Sequence, residues 1–450
     1  MGKCEVFAEI EVLERTELRS LQLKRLQRQI SRCFQQSLFY HKKWADAGFT
    51  LDSIEKLEDI TKLPFTFKRE IRDDQSKTPP WGNLVLTDSS GTPVEVHPSF
   101  GTTGIPIYTF WSSIDIQNIT DYTTRMFYSC GVRPGDILHN AFRYHLRMGG
   151  ITVQRVAEKL GCFVLPIGDA EIKTQVELLI NLRPAVLFAV PSFAFVLAEV
   201  MRERGIDPTS TTLKIGCFGG EPGVEIPATR SRLERELGIK AFDMYGITEI
   251  GPLMAAECLE HDGLHIAEDH HLVEVINPET YEPCNPGEVG VLVITDLTRD
   301  AMPLIRYWTN DLAVLDYNKC GCGRTHVKLK GGILGRTDDL VIFKGMKFYP
   351  AQVENVLHSF NELGNEYKII LHKNELTNLE QCIVKVECLT TGLGLDWLKD
   401  KLIKDLWEEL RVNVDVELVP FGSIERDIMK TKRVMDNRIG HISNAINRDE

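Results

Sequence analysis

Between residues 12 and 47, Leu, Ile and Phe recur at three- and four-residue intervals among Arg, Gln and Lys. That spacing predicts an amphipathic helical opening laid as a cap over a core. From residue 131 the pattern becomes short apolar runs alternating with amphipathic ones. "GDILHNAF", "CFVLPIG", "PAVLFAV", "LKIGCFGG" and "AFDMYG" read as strands. "GGITVQRVAEKLG", "EIKTQVELLINLR", "SFAFVLAEVMRERG" and "ATRSRLERELG", which lie between them, read as helices. Such alternation predicts a largely parallel sheet covered on both faces. After about residue 270 the texture turns to strand and turn, as in "LVEVINPETYEPCNPGEVGVLVITDL", with Pro and Gly between β-rich runs. A third pattern starts near "LGRTDDLVIFKG" and ends in the basic "ERDIMKTKRVMDNR".

The expected fold class is therefore α/β. A large N-terminal domain holds a doubly wound, mostly parallel sheet and a β-rich subdomain, and a smaller unit follows. In such sheets ligands bind beyond the carboxyl ends of the strands. "RYHLRMGG", "GGEP" and "YGITE" all fall there, so three distant segments converge on one crevice.

Composition narrows the functional classes. A chain of 450 residues is too long for one ordinary core, and 43% apolar with 26% charged residues suits a soluble globular protein. A net charge of −12 argues against nucleic-acid or membrane-surface binding, so any polyanionic ligand must be met by local donors. The opening "MGKCEVFAEIEVLER" lacks an apolar signal core, and the longest apolar run is split by Pro191. Eleven cysteines without a secretory signal point to reduced thiols and a cytoplasmic location.

Two groups of residues carry chemistry. In "HPSFGTTGIPIYTF", Ser99, Gly101, Thr102, Thr103 and Gly104 form a Gly/Thr loop suited to wrapping phosphates with backbone N–H groups and hydroxyls. It carries no lysine, because Ile105 stands where one is wanted. Cys258, His265, Cys320 and Cys322 suit a closed, tetrahedral, structural Zn²⁺ site, with His261 and His326 as rival ligands.

The Gly/Thr loop is followed, in order, by "MYGITEIG", "RYWTNDL", "ILGRTDDLVIFKG" and "MKTKRV". This ordered set resembles the adenylate-forming superfamily. "LHNAFRYHLRMGG", "GGEP", "EDHHLVEVINPETYEP", "MPLIRYWTNDL" and "CGCGRTH" make the chain most similar to the phenylacetate–coenzyme A ligase family over nearly its whole length. The resemblance implies an N-terminal AMP-binding domain over 1–335 and a small mobile α+β lid domain over 336–450, with a hinge near Asp338. It implies Lys430 as the catalytic lysine over the α-phosphate, Thr248 as a phosphate contact and Glu249 as a Mg²⁺ ligand. Tyr245, beside Gly246, would stack on adenine, with Gly220, Glu221 and Pro222 along the other side of the base. Asp311 would accept from the ribose hydroxyls and Arg336 would approach the ribose or phosphates. Gly345 and Lys347, in "FKGMKF", would turn toward coenzyme A.

The family's loop usually reads S-S-G-T-T-G-K-P, so Phe100 and Ile105 depart from it, as does Met429 from a usual glycine. Its acid-pocket segment reads close to N-A-Y-G-Y-G-L-F-T-G-G. Here Phe142 and Tyr144 keep aromatic walls, while Arg143, His145 and Arg147 bring positive charge that turns to solvent, to coenzyme A phosphates or to an anionic group on the acid. The resemblance implies ATP, Mg²⁺, coenzyme A and a small carboxylic acid as partners, no nucleic acid or membrane, and a homodimer. The activity implied is AMP-forming ligation of an aryl, arylacetic or other small acid to coenzyme A. Its alternatives are adenylyl transfer to a deazaflavin-type acceptor without the thiol step, and a catalytically silent nucleotide-binding protein.

Overall fold

The computed structural model describes residues 5–86, 93–99, 106–373, 379–389, 395–426 and 433–438. The helical opening is two helices, Arg15–Gln36 and Leu38–Asp46. The break falls at Ser37, which leaves helical geometry and whose hydroxyl accepts from Tyr40 N at 3.3 Å, capping the second helix. Leu18, Leu26, Ile30 and Cys33 form the buried stripe of the first helix. Its polar side is also in use: Gln22 Nε2 donates to Glu268 O at 2.9 Å and Arg32 pairs with Asp300 at 2.8 Å. The helix thus holds two distant loops as well as capping a core.

The chain folds as two compact units. The first comprises Met1–Ala189, Thr212–Gly220 and Phe242–Leu334. Its main sheet has nine strands. Ile137–Asn140 pairs in parallel with Phe163–Pro166 on one side and Val186–Ala189 on the other, and Val186–Ala189 pairs in parallel with Ile215–Phe218. Lys240–Ile247 comes next. From there the sheet continues antiparallel through Gly251–Ala256, Leu264–Ile266, Lys328–Leu329 and Leu315–Asp316. The parallel half is the one that alternating apolar runs announce. The other half begins at the tight turn 248–250, which returns the chain on itself with no helix between. A separate antiparallel ladder joins His271–Ile276, Gly290–Asp296 and Tyr307–Ala313.

The second unit comprises Val190–Thr211, Glu221–Ala241 and Gly335–Glu450. Residues 190–211 and 221–241 group here through the helices Pro191–Glu203 and Pro227–Leu237. Each starts with Pro at its first position, where the missing N–H costs nothing. Polar contacts hold them: Thr229 Oγ1 donates to Glu354 Oε1 at 3.0 Å, and Arg426 pairs with Glu199 at 3.3 Å. A four-stranded sheet orders Asp415–Pro420, Glu380–Cys388, Leu363–Lys373 and Val434–Asn437. Leu398, Leu402 and Leu406, one turn apart on the helix Asp396–Leu410, pack with Val353, Leu357 and Ile369 into its core.

Candidate active site

The Gly/Thr segment joins the strands of an antiparallel hairpin, Glu95–Ser99 and Ile107–Trp111, whose last pair is Ser99 with Ile107. Ser99 is buried, and its hydroxyl has no partner among the described residues. Gly101, Thr102, Thr103 and Gly104 lie outside the described residues, as do Phe100 and Ile105. The turn 248–250 follows the strand Lys240–Ile247. Gly246 makes it possible: a Cβ there would meet the backbone of Pro252 at 2.2 Å. Thr248 is half-buried and Glu249 is buried. The Glu249 carboxylate is met at 2.8 Å by Lys68 Nζ, from the start of the helix Lys68–Lys77. Sequence reasoning missed Lys68, since nothing in "FTFKRE" marks a lysine that meets a carboxylate so far along the chain.

Tyr245 and Asp311 come together in the first unit. The Tyr245 hydroxyl donates to Asp311 Oδ2 at 2.6 Å, and both residues are buried. Asp311 N donates to Thr309 Oγ1 at 3.0 Å, which steadies the strand beneath the carboxylate. Gly220 adopts φ +87, a region open to glycine at little cost. In the second unit, Glu221 Oε1 accepts from Ser192 N at 2.7 Å, and burial pushes its carboxyl up to about 7. Pro222 beside it is exposed.

Also in the second unit, Arg336 is bidentate to Asp338 at 2.8 and 3.0 Å. Gly345 (φ +79) closes a hairpin between Val341–Phe343 and Met346–Phe348, on which Lys347 is exposed. Lys430, with Met429 and Lys432, lies outside the described residues.

The segment after Ile137–Asn140 is organised by Asn140 itself. Asn140 Nδ2 donates to the Tyr144 hydroxyl at 2.9 Å and to Gly150 O at 2.8 Å, and its Oδ1 accepts from Phe142 N at 3.2 Å. Phe142 lies against Gly149, and Tyr144 lies against Gly168. Of the positive side chains, His145 and Arg147 are exposed and Arg143 is half-buried. His145 Nε2 stands 3.4 Å from Asp169.

Cys258, His265, Cys320 and Cys322 are all buried, and their ligand atoms lie within 4.8 Å of one another. Cys258 Sγ is 3.7 Å from Cys320 Sγ, and Cys322 Sγ is 3.5 Å from His265 Nε2. A tetrahedral zinc with Zn–S of about 2.3 Å and Zn–N of about 2.05 Å has S–S edges of about 3.8 Å and S–N edges of about 3.6 Å. The residues therefore fit the metal. The hydrogen bond between Cys258 and Cys322 pushes the first thiol up and the second down, which favours a thiolate beside the imidazole. The rival histidines are engaged elsewhere: His261 with Glu257 at 3.2 Å, and His326 with Ile266 O and Ile10 O, each at 2.9 Å.

Comparison with known proteins adds ancestry to this geometry. Residues 345–438 match the family described as AMP-binding enzyme C-terminal domain. A phenylacetate–coenzyme A ligase of Thermus thermophilus is 37% identical over 448 residues, covering 96% of this chain and 99% of that protein. One from Escherichia coli K12 is 34% identical, covering 95% and 97%. A crystal structure of 2-hydroxyisobutyryl-CoA ligase, in the postadenylation state with an acyl-AMP (R3-HIB-AMP), superposes with a TM-score of 0.89 at 29% identity, covering 95% of this chain and 91% of that one. Among the described residues no helix is long and apolar enough to cross a membrane.

Proposed function

The chain belongs to the phenylacetate–coenzyme A ligase family, and from that premise we propose that it activates an aryl, arylacetic or other small carboxylic acid bound beside Phe142 and Tyr144. The chain is an AMP-forming acid–coenzyme A ligase. The acid's carboxylate forms a bond to the α-phosphorus of ATP as the bond to the pyrophosphate oxygen breaks. The coenzyme A thiol then loses its proton, attacks the acyl carbon and releases AMP. Neither step needs a covalent enzyme intermediate, so the protein's work is alignment and charge stabilisation.

In this reading Tyr245 and Asp311 hold the nucleoside, the ring stacking on adenine and the carboxylate accepting from the ribose. Their 2.6 Å hydrogen bond is the observation that carries it, because it joins two motifs 66 residues apart. Gly220, Glu221 and Pro222 take the other side of the base, and Arg336 the ribose or phosphates. The Gly/Thr segment with Ser99 wraps the terminal phosphates, and Thr248 contacts the α-phosphate. Glu249 holds Mg²⁺, which when bound neutralises triphosphate charge. Lys68, now on Glu249, and Lys430 supply the cations that the Gly/Thr segment lacks. Asp338 is the hinge of the lid domain, and Gly345 and Lys347 serve coenzyme A. Cys258, His265, Cys320 and Cys322 would hold Zn²⁺, which when bound would supply a structural cross-link. The ten free cysteines among the described residues suit a reducing cytoplasm.

Acid-dependent exchange of labelled pyrophosphate into ATP, run across a panel of aryl, arylacetic and short hydroxy acids without coenzyme A, tests the acid assignment. Exchange with at least one aryl or small acid is expected. Exchange only with long-chain fatty acids would overturn it.

A further inference from the structure

Arg299 belongs to none of the motifs above, yet its side chain is almost wholly buried where two of them meet. Its Nη1 donates to Ile250 O at 3.2 Å and to Glu249 O at 3.4 Å, and its Nη2 donates to Phe110 O at 3.0 Å. The first two carbonyls belong to the turn that carries Thr248 and Glu249. The third belongs to the strand Ile107–Trp111, which leaves the Gly/Thr segment. The guanidinium also lies 3.1 Å from the centre of the Trp111 ring, which fixes its plane.

The charge is balanced by Asp115, whose Oδ2 is 3.6 Å from Arg299 Nε. That carboxylate accepts from Asp300 N at 2.6 Å, Ala301 N at 3.0 Å and Ser112 N at 2.9 Å, so it holds the loop that presents Arg299. Arg32, from the first helix, pairs with the neighbouring Asp300 at 2.8 Å.

We propose that Arg299 is a positioning residue for the phosphate end of the nucleotide, setting the Thr248–Glu249 turn in register with the strand that returns from the Gly/Thr segment. The inference rests on the adenylation reading. A planar fork with several N–H donors can span carbonyls on two segments, whereas the single ammonium of lysine cannot. The metal ligand and the phosphate-wrapping segment must agree to within about 1 Å, since an error of that size costs on the order of 100-fold in such reactions. The nucleoside end, held at Tyr245 and Asp311, makes no use of Arg299.

The test compares two ligands on purified full-length protein: adenosine, which carries no phosphate, and α,β-methylene-ATP with Mg²⁺. Arg299→Lys and Asp115→Asn are the variants, and binding is measured by calorimetry well below each protein's melting temperature. Arg299→Lys is expected to weaken Mg²⁺·α,β-methylene-ATP about 10-fold or more while leaving adenosine within about 2-fold. Asp115→Asn should show the same selectivity, less strongly. The proposal is overturned if both ligands weaken alike, if neither does, or if both variants fail to fold, since Arg299 would then serve the fold alone. Parent protein that binds neither ligand would sink the adenylation reading itself. Parent binding with unchanged variants would sink only the role of Arg299.

Discussion

Removing one oxygen from Tyr245 separates the ring from the hydrogen bond that fixes Asp311. A Tyr245→Phe variant keeps the stacking surface and loses a bond to a charged acceptor, worth about 1.5–3 kcal/mol. The KM for ATP should rise about 10-fold with kcat for adenylation little changed, as steady-state kinetics at saturating acid will show. An unchanged KM would deny Asp311 its part in nucleotide binding. At this scale the sequence was uneven. Tyr245, Asp311 and the metal-site residues were legible because motif and residue chemistry coincide. Lys68 and Arg299 were not, because each acts on a partner brought near only by folding, and Asn140 was not, because it ties together backbone and a hydroxyl of its own loop. The basic residues after Asn140 were legible as residues but not as orientations, and His145 and Arg147 prove exposed.

At the scale of elements, two short connections hold structure that apolar patterning does not encode. Cys320 and Cys322 sit in a turn, and only its pairing through Lys328 with His265 brings them to the strand Leu264–Ile266. Elemental analysis should find about one zinc per chain, and Cys320→Ser should hold less than about a tenth of that, with a lower melting temperature. Zinc absent from protein expressed in zinc-rich medium would remove the metal from the account.

In the second unit, burial and then the charges of Arg232 and Arg433 push His358 down to about 3. Its folded value is thus below the ordinary 6.5, and the unfolded chain binds the extra proton first. This contribution to stability is complete above pH 6.5 and is lost as the pH falls toward 3. His358→Gln should flatten the decline of the calorimetric melting midpoint between those limits, and an unaltered decline would assign acid sensitivity elsewhere. The alternating strands and helices were legible because a parallel sheet buries whole runs. The antiparallel half was not, because its strands Leu264–Ile266, Lys328–Leu329 and Leu315–Asp316 are too short to show a period.

For the whole molecule, the ligase reaction divides into two half-reactions, and the proposal gives Lys430 to the first. Lys430→Ala should lower acid-dependent adenylation by about 100-fold or more while sparing thioester formation from supplied acyl-adenylate, measured as separate half-reactions. Equal loss in both would make Lys430 structural. The second unit's claim on 190–211 and 221–241 was hidden from the sequence, because its polar anchors, Thr229 on Glu354 and Arg426 on Glu199, join segments more than 120 residues apart. The most direct test of the account is the stoichiometry of AMP and acyl–coenzyme A formed by the purified protein with Mg²⁺·ATP and the acid that best supports pyrophosphate exchange. The account predicts one AMP per thioester, and neither in quantity when acid or coenzyme A is omitted. ADP in place of AMP, or multiple-turnover AMP release indifferent to coenzyme A, would contradict it.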